Sequence, residues 1–204
     1  MVSMADGKSA RPAGRPRDSS IDQRVLTVTR ELLVEMGWNA LSMRSIAARS
    51  GVSRSSLDRR WPSKAELVLH AILGATPDLA PFAGTDRLGW VDWVVRGSRQ
   101  LFARPEVKAA IPGLLVAMAE NDELRNRIWA GFSGPAVALF TPDDATQTAD
   151  AASDAADELA SDARAIMAMA AGAALFLTTI AVEDDTEALH ARIARILTDA
   201  VSRE

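Results

Sequence analysis

The segment 53–64, SRSSLDRRWPSK, concentrates side chains that bind anions. Arginine guanidinium groups form paired hydrogen bonds to phosphate oxygens and base edges, and serine hydroxyls hydrogen-bond to either. Asp58 stands among Arg54, Arg59 and Arg60, although a carboxylate beside a polyanion is repelled. The sequence shows no acid–base pair, nucleophile motif, phosphate loop or metal-ligand spacing. It therefore indicates binding of a polyanion, and we do not expect an enzyme.

Charge is distributed unevenly along the chain, whose net charge is −4. Residues 1–64 contain 12 Lys and Arg against 6 Asp and Glu, whereas residues 65–204 contain 11 against 21. A basic first third and an acidic remainder predict two parts with different partners. There is no cysteine, and the only histidines, His70 and His190, lie in separate segments. We therefore expect neither a metal site nor a cofactor.

The first 19 residues are rich in Gly, Pro, Ser and Arg and nearly free of apolar side chains. We expect residues 1–19 to be a flexible basic tail, because such a composition cannot form a packed core. Two interpretations of the tail stay open here: a solvated segment, or an arm that reaches DNA phosphates or the minor groove. It has no apolar stretch of the kind that a secretory signal requires, which favours a cytoplasmic location.

Two short helices joined by a tight turn are predicted around the basic segment. Ser42 is a good N-cap for a helix over 43–50. After the Gly-Val-Ser turn, Ser53 caps a second helix over 54–61, which Pro62 stops because proline disfavours the α conformation in the preceding residue. A short helix, a glycine-containing turn and a second short helix make a helix-turn-helix, whose second helix can lie in the major groove of DNA.

Capping signals also place the helices on either side. Ser20 and Gln23 form a capping box ahead of an apolar pattern that Gly37 ends. Ser63 and Glu66 form another at the start of a fourth helix. The free N–H groups at such helix starts suit phosphate oxygens.

The rest of the chain also has apolar residues at helical spacing. The predicted helices cover 86–102, 105–119, 122–140, 150–182 and a last helix to about residue 201, which Asp184 and Glu187 cap. No segment shows strand alternation. The fold class is therefore all-α with about nine helices: an N-terminal three-helix helix-turn-helix domain over 20–64 and a C-terminal helical domain over 65–204.

Residues 165–182 form an uncharged run that could suggest a membrane span. The run is shorter than the roughly 20 apolar residues a span needs, and most of it is Ala, Gly and Thr. We therefore interpret it as a buried helix at a dimer interface and expect no membrane partner. The side chains predicted for that interface are Met167, Ala171, Leu175 and Ile193.

Residues 14–73 closely resemble the N-terminal domain of the TetR family of transcriptional repressors. The matching stretches are GRPR at 14–17, LLVEMGWNALSMRSIAARSGVSRSSL at 32–57 and RRWPSKAEL at 59–67. The later helices match the family only in their layout. The resemblance implies a homodimer that binds palindromic double-stranded DNA and is released by a small molecule bound in the C-terminal domain.

The resemblance also implies roles for individual residues. Phosphates would be bound at two helix starts, by Ser42 and Arg44 and by Lys64. Bases or their flanks would be contacted by Arg54, Ser55 and Ser56, with Arg59 reaching phosphate or base. Arg15 and Arg17 would extend the footprint along the DNA. Apart from the resemblance, the free N–H groups at the helix start capped by Ser53 also suit phosphate oxygens.

Asp58 departs from the family pattern, which usually has an aromatic residue there. Three interpretations remain open. Asp58 could accept a hydrogen bond from a cytosine amino group, pair with Arg54 one helical turn earlier, or be a solvated acid that weakens binding. We prefer the pairing with Arg54.

Large apolar residues of the C-terminal domain are candidates for the wall of a ligand pocket, since such pockets are mostly apolar. The candidates are Trp90, Trp93, Met118, Trp129 and Phe132, although such residues are more often ordinary core than the wall of a pocket. The sequence thus predicts a ligand-responsive DNA-binding repressor. The alternative is a helical ligand-binding or interaction protein whose DNA-binding head is weakened or lost.

Overall fold

The computed structural model describes residues 19–74, 86–140 and 149–202, and these residues contain helices and no strand. The helices are α1 (Ser19–Ala40), α2 (Met43–Ser50), α3 (Arg54–Arg60), α4 (Lys64–Leu73), α5 (Arg87–Ala103), α6 (Pro105–Glu120), α7 (Asp122–Ile128), α8 (Gly134–Ala138), α9 (Ala149–Thr179) and α10 (Glu187–Val201). Because a π-helical turn, Trp129–Ser133, joins α7 to α8, the two form one continuous rod. The all-α prediction is confirmed.

Capping residues position the helix-turn-helix as predicted. Ser42 accepts a hydrogen bond from the Ser45 N–H, and the Ser45 hydroxyl accepts one from the Ser42 N–H. Ser53 accepts from the Ser56 N–H at the start of α3. Gly51 ends α2 with φ 67°, a left-handed conformation that glycine adopts at little cost. The two helices are therefore fixed by local sequence at both sides of the turn.

Gly37 interrupts α1, as predicted. Its φ of 71° and ψ of 176° belong to a region that is essentially restricted to glycine. The chain then turns, so that Trp38 lies against α6 and not on the axis of α1. The conformation of Gly37 thus sets the direction in which the chain enters α2.

Three capping predictions were wrong in detail. α1 already includes Ser19, so Ser20 lies within the helix and is not its cap. Ser63 does cap α4, but the Glu66 carboxylate turns away to α7 and the box is not closed. The cap of α10 is Thr186, whose hydroxyl accepts from the Leu189 N–H. Asp184 instead lies in the 3-10 turn before it.

Two hydrophobic cores hold the helices together. The first joins buried residues of α1–α4 to Val107, Ala110, Ile111 and Leu114 of α6. The second joins α5, α8, α9 and α10 around Trp90, whose indole N–H donates to the Ala136 carbonyl at 2.8 Å. Because α6 belongs to the first core, the helix-turn-helix packs on the rest of the chain through α1 and α4.

A proline explains why the rod over α7 and α8 is not a regular helix. Pro135 has no N–H and cannot donate to the carbonyl four residues earlier, at Gly131. The preceding turn widens into the π-helical turn. The single helix predicted over 122–140 is therefore divided into two, and the wide turn faces the interior space between α4, α5 and α9.

α9 contains a segment, Asp157–Thr179, that is long and apolar enough to cross a membrane by length and composition. One face of this segment is buried in the protein, where Ala163, Ile166 and Ala170 pack in the second core. The predicted burial of this helix is thus seen on one face, and its place at a dimer interface stays a prediction.

Candidate nucleic-acid interface and ligand cavity

The outward face of α3 carries the predicted DNA-contacting side chains. Leu57 is fully buried and turns this side of α3 towards the core. Arg54, Ser55, Asp58 and Arg59 are exposed on the opposite side. α3 thus presents short polar and cationic groups on a rigid two-turn helix, as a recognition helix requires.

Asp58 forms the ion pair with Arg54 that we preferred from the sequence. The Arg54 Nε atom lies 2.8 Å from Oδ1 and 2.9 Å from Oδ2 of the carboxylate. Both side chains are about half exposed, at 54% and 47%, so solvent screens the pair and its contribution to stability is small. The pair holds the guanidinium in one orientation and neutralises part of its charge.

The other arginines of the head differ in whether they have a partner. Arg60 donates to the Asp22 carboxylate of α1 at 2.7 Å, and Arg49 pairs with Glu35 at the same distance. Arg44 and Arg59 are exposed and have no ion pair or hydrogen bond within the described part of the chain. Within the helix-turn-helix, from α2 to the end of α3, these two are the cations available to phosphate without breaking a contact.

Lys64 is engaged with the end of α1. Its ammonium donates to the carbonyls of Trp38 at 3.0 Å and Leu41 at 3.2 Å, and lies 4.3 Å from the centre of the Trp38 ring. Burial lowers the pKa of Lys64. The ammonium therefore fixes the start of α4 to the head, and a phosphate at this position would compete with two carbonyls for it. Arg15 and Arg17 lie outside the described residues.

A cavity of about 350 Å³ lies between α4, α5, α6, the π-helical turn and α9. Three of the five predicted wall residues, Trp93, Met118 and Phe132, do line it. The other two do not. Trp90 is 2% exposed in the second core because its indole N–H is satisfied by a backbone carbonyl. Trp129 is 45% exposed, because the wide turn directs it outward.

The residues predicted for a dimer interface face the interior. Met167, Ala171 and Leu175 line the cavity, and Ile193 packs against the second core. The apolar pattern of α9 continues around the helix, so the sequence could not show which side faces the core, and the dimer interface itself stays a prediction. Among the described side chains, Met169 and Phe176 of α9, Ile180 just after it and Ile196 of α10 are apolar and exposed.

The sequence did not point to several cavity residues. α4 contributes Leu69, Ile72 and Leu73, and the hydroxyl-bearing residues in the wall are Ser98 and Ser133. Their only sequence signal is a place on the inner faces of amphipathic helices, which most core residues share.

A second, charged cleft of about 370 Å³ lies where α3 and α4 meet α7. Across it, Arg127 of α7 pairs with Glu66 of α4 at 2.6 Å, and the Glu66 side chain is only 15% exposed. The hydrogen bond to Glu123 and the charge of Glu66 raise the pKa of Arg127. On the same side, the Trp61 indole N–H donates to Nδ1 of His70 at 2.9 Å. α4 is thus tied to the end of α3 and to α7.

The capped helices and the exposed face of α3 define a helix-turn-helix DNA-binding domain. Residues 25–71 match the family described as "Bacterial regulatory proteins, tetR family". The family match is thus confined to the N-terminal segment that contains the helix-turn-helix. It is 32% identical over 72 residues to the HTH-type transcriptional regulator YdeS of Bacillus subtilis, and 39% identical over 80 residues to Rv1556 of Mycobacterium tuberculosis. These matches cover 35% and 37% of this chain and 36% and 40% of those relatives.

Solved structures resemble the chain over most of its length. NalD, the secondary repressor of the MexAB-OprM multidrug efflux pump in Pseudomonas aeruginosa, gives a TM-score of 0.55 at 18% identity. That similarity covers 91% of this chain and 97% of NalD. The flavonoid-responsive regulator FrrA gives a TM-score of 0.51 at 17% identity, over 90% and 97% of the two chains. At these identities the similarity concerns the fold, which extends through the C-terminal helices.

Proposed function

We propose that this protein is a sequence-specific DNA-binding transcriptional regulator, and a repressor that a small molecule releases from DNA. The observation that carries the proposal is the outward face of α3 within a domain that matches the TetR family. Residues 20–64 are the DNA-binding head, and residues 65–204 bind the ligand and form the dimer. The protein acts in the cytoplasm, on double-stranded DNA.

DNA binding requires two heads, because one two-turn helix contacts few bases. The exposed apolar side chains Met169 and Phe176 lie along one face of α9, Ile180 directly follows its end, and Ile196 is exposed on α10. Exposed apolar surface of this kind marks association sites. A homodimer through this face pairs two recognition helices for a palindromic operator.

Release follows from the position of α4. This helix supplies part of the cavity wall through Leu69, Ile72 and Leu73. It also carries His70, which accepts the hydrogen bond from Trp61 at the end of α3. A ligand that displaces the wall therefore displaces α4, and with it the head that α4 anchors.

The ion pair between Arg54 and Asp58 supports a second candidate, a ligand-binding protein whose head has lost affinity for DNA. The ion pair leaves the Arg54 guanidinium less available to DNA phosphates, and the Asp58 carboxylate is repelled by the backbone of DNA. The exposed and unpaired guanidinium groups of Arg44 and Arg59 favour the regulator.

A salt titration against the DNA upstream of the protein's own gene tests the proposal, with fluorescence anisotropy as the readout. For the regulator, log K falls linearly with log salt concentration, and Arg44→Gln reduces the slope by about 1. The matched control is Arg96→Gln on α5, whose exposed guanidinium pairs with Asp92 far along the chain from the head. Weak binding that does not depend on sequence, with no effect of Arg44→Gln, would favour the second candidate.

A further inference from the structure

The wall of the cavity is uncharged throughout the described residues. It consists of aliphatic, aromatic, methionine and glycine residues, together with the two serines Ser98 and Ser133. Among the residues that the structure describes, no carboxylate, ammonium, guanidinium or imidazole lines the space. The basic and acidic side chains near α4 line the neighbouring charged cleft, on the other side of Leu69 and Phe132.

We infer that the ligand of this cavity is an uncharged, largely apolar compound with one or two hydrogen-bonding groups. The inference rests on the proposed function, which makes the cavity the effector site. A charged ligand would lose its hydration on entering and find no countercharge, and burial of an unpaired charge is strongly unfavourable. Apolar surface gains free energy by the same transfer, and the serine hydroxyls accept or donate one hydrogen bond each.

Gly97 keeps part of this space open. It lies inside α5, where glycine is less favourable than alanine by about 1 kcal/mol. A Cβ atom at this position would have no atom within 4 Å, so neither backbone conformation nor packing requires glycine here. The missing side chain leaves room in the cavity wall, and a larger residue at position 97 would project into the space that the ligand occupies.

Two fluorescent probes with the same aromatic body test the ligand class. N-phenyl-1-naphthylamine is uncharged, and 8-anilinonaphthalene-1-sulfonate adds one sulfonate to it. Binding of each to the full chain is measured by fluorescence titration, in the wild type and in Gly97→Leu, which fills the cavity. Ala171→Leu fills it from the α9 side and serves as a second variant should Gly97→Leu fail to fold. Ala119→Leu, at an exposed position of α6, is the matched control.

We expect the uncharged probe to bind, and to lose at least tenfold in affinity in the filled variants but not in the control. The sulfonated probe should bind in the cavity at least about tenfold more weakly, a difference of about 1.4 kcal/mol. Its binding in the cavity is the part of the fluorescence signal that Gly97→Leu removes. Equal affinity of the two probes for the cavity would overturn the inference, as would binding of the uncharged probe that no filled variant affects. DNA binding by the full chain is measured separately, without probe. That measurement tests the proposed function, and the probe titrations test the ligand class.

Discussion

Gly113 allows α6 to contact the Trp38 indole, and we expect its replacement by alanine to destabilise the protein. A Cβ atom at Gly113 would lie 2.0 Å from ring atoms of Trp38, well inside van der Waals contact. The indole cannot simply withdraw, since the Lys64 ammonium lies over its ring at 4.3 Å. Gly113→Ala therefore forces α6 and the head apart, or the indole out of its place.

The size of the effect follows from two opposing contributions. Overpacking of a well-packed contact costs about 1–3 kcal/mol of unfolding free energy. Replacing glycine by alanine inside a helix raises the free energy of unfolding by about 1 kcal/mol, because alanine has the higher helix propensity. We therefore expect Gly113→Ala to lower the free energy of unfolding by up to about 2 kcal/mol, the difference between these two contributions.

Urea unfolding followed by circular dichroism measures this change, and Gly97→Ala is the matched control. Both glycines lie inside helices, but the Cβ position at Gly97 is open. We expect Gly97→Ala to raise the free energy of unfolding by about 0.5–1 kcal/mol. In a Trp38→Ala background, Gly113→Ala should become stabilising as well. The packing argument is refuted if Gly113→Ala stabilises the wild-type protein as much as Gly97→Ala does.

Three further predictions concern the charged and apolar surfaces. Asp58→Asn frees Arg54 and removes a repelled carboxylate, so the slope of log K against log salt concentration should steepen by about 1, and discrimination between operator and unrelated DNA should fall. An unchanged slope and unchanged discrimination in the anisotropy titration would contradict this. Phe176→Asp places a charge on the exposed face of α9, so the dissociation constant of the dimer, measured by sedimentation, should rise by a factor of at least about ten. An unchanged dissociation constant would place the interface elsewhere. Arg127→Gln leaves the nearly buried carboxylate of Glu66 without its cation, so Tm should fall in a thermal scan. Adding Glu66→Gln to the same chain should restore most of the lost Tm.

The helix-turn-helix was predictable from the sequence because its signals are local. The caps Ser42 and Ser53, the left-handed glycine Gly51 and the proline that stops α3 all act within one or two helical turns. The pairing of Arg54 with Asp58 was predictable for the same reason, since residues four apart on a helix lie side by side.

The cavity was predictable only in part. Sequence reasoning selected its large aromatic residues correctly at Trp93 and Phe132, but could not separate them from Trp90, which has the same type and spacing. Trp90 differs through contacts with distant residues, the hydrogen bond to a backbone carbonyl 46 residues away and the edge-on packing against Phe140. A pattern along one helix carries no information about such a partner.

By itself, the sequence thus determined which segments are helical, where most of them begin and end, and that one short basic helix faces outward. These properties depend on hydrogen bonds and side-chain contacts between residues a few positions apart. Only the tertiary structure decided that Met167 and Leu175 face a cavity while Phe176 faces solvent, and that Gly113 makes room for Trp38. The physical reason is that α9 is apolar on several sides and that α6 is contacted by residues more than 70 positions earlier in the chain. Which face is buried therefore depends on packing between distant helices and not on local propensity.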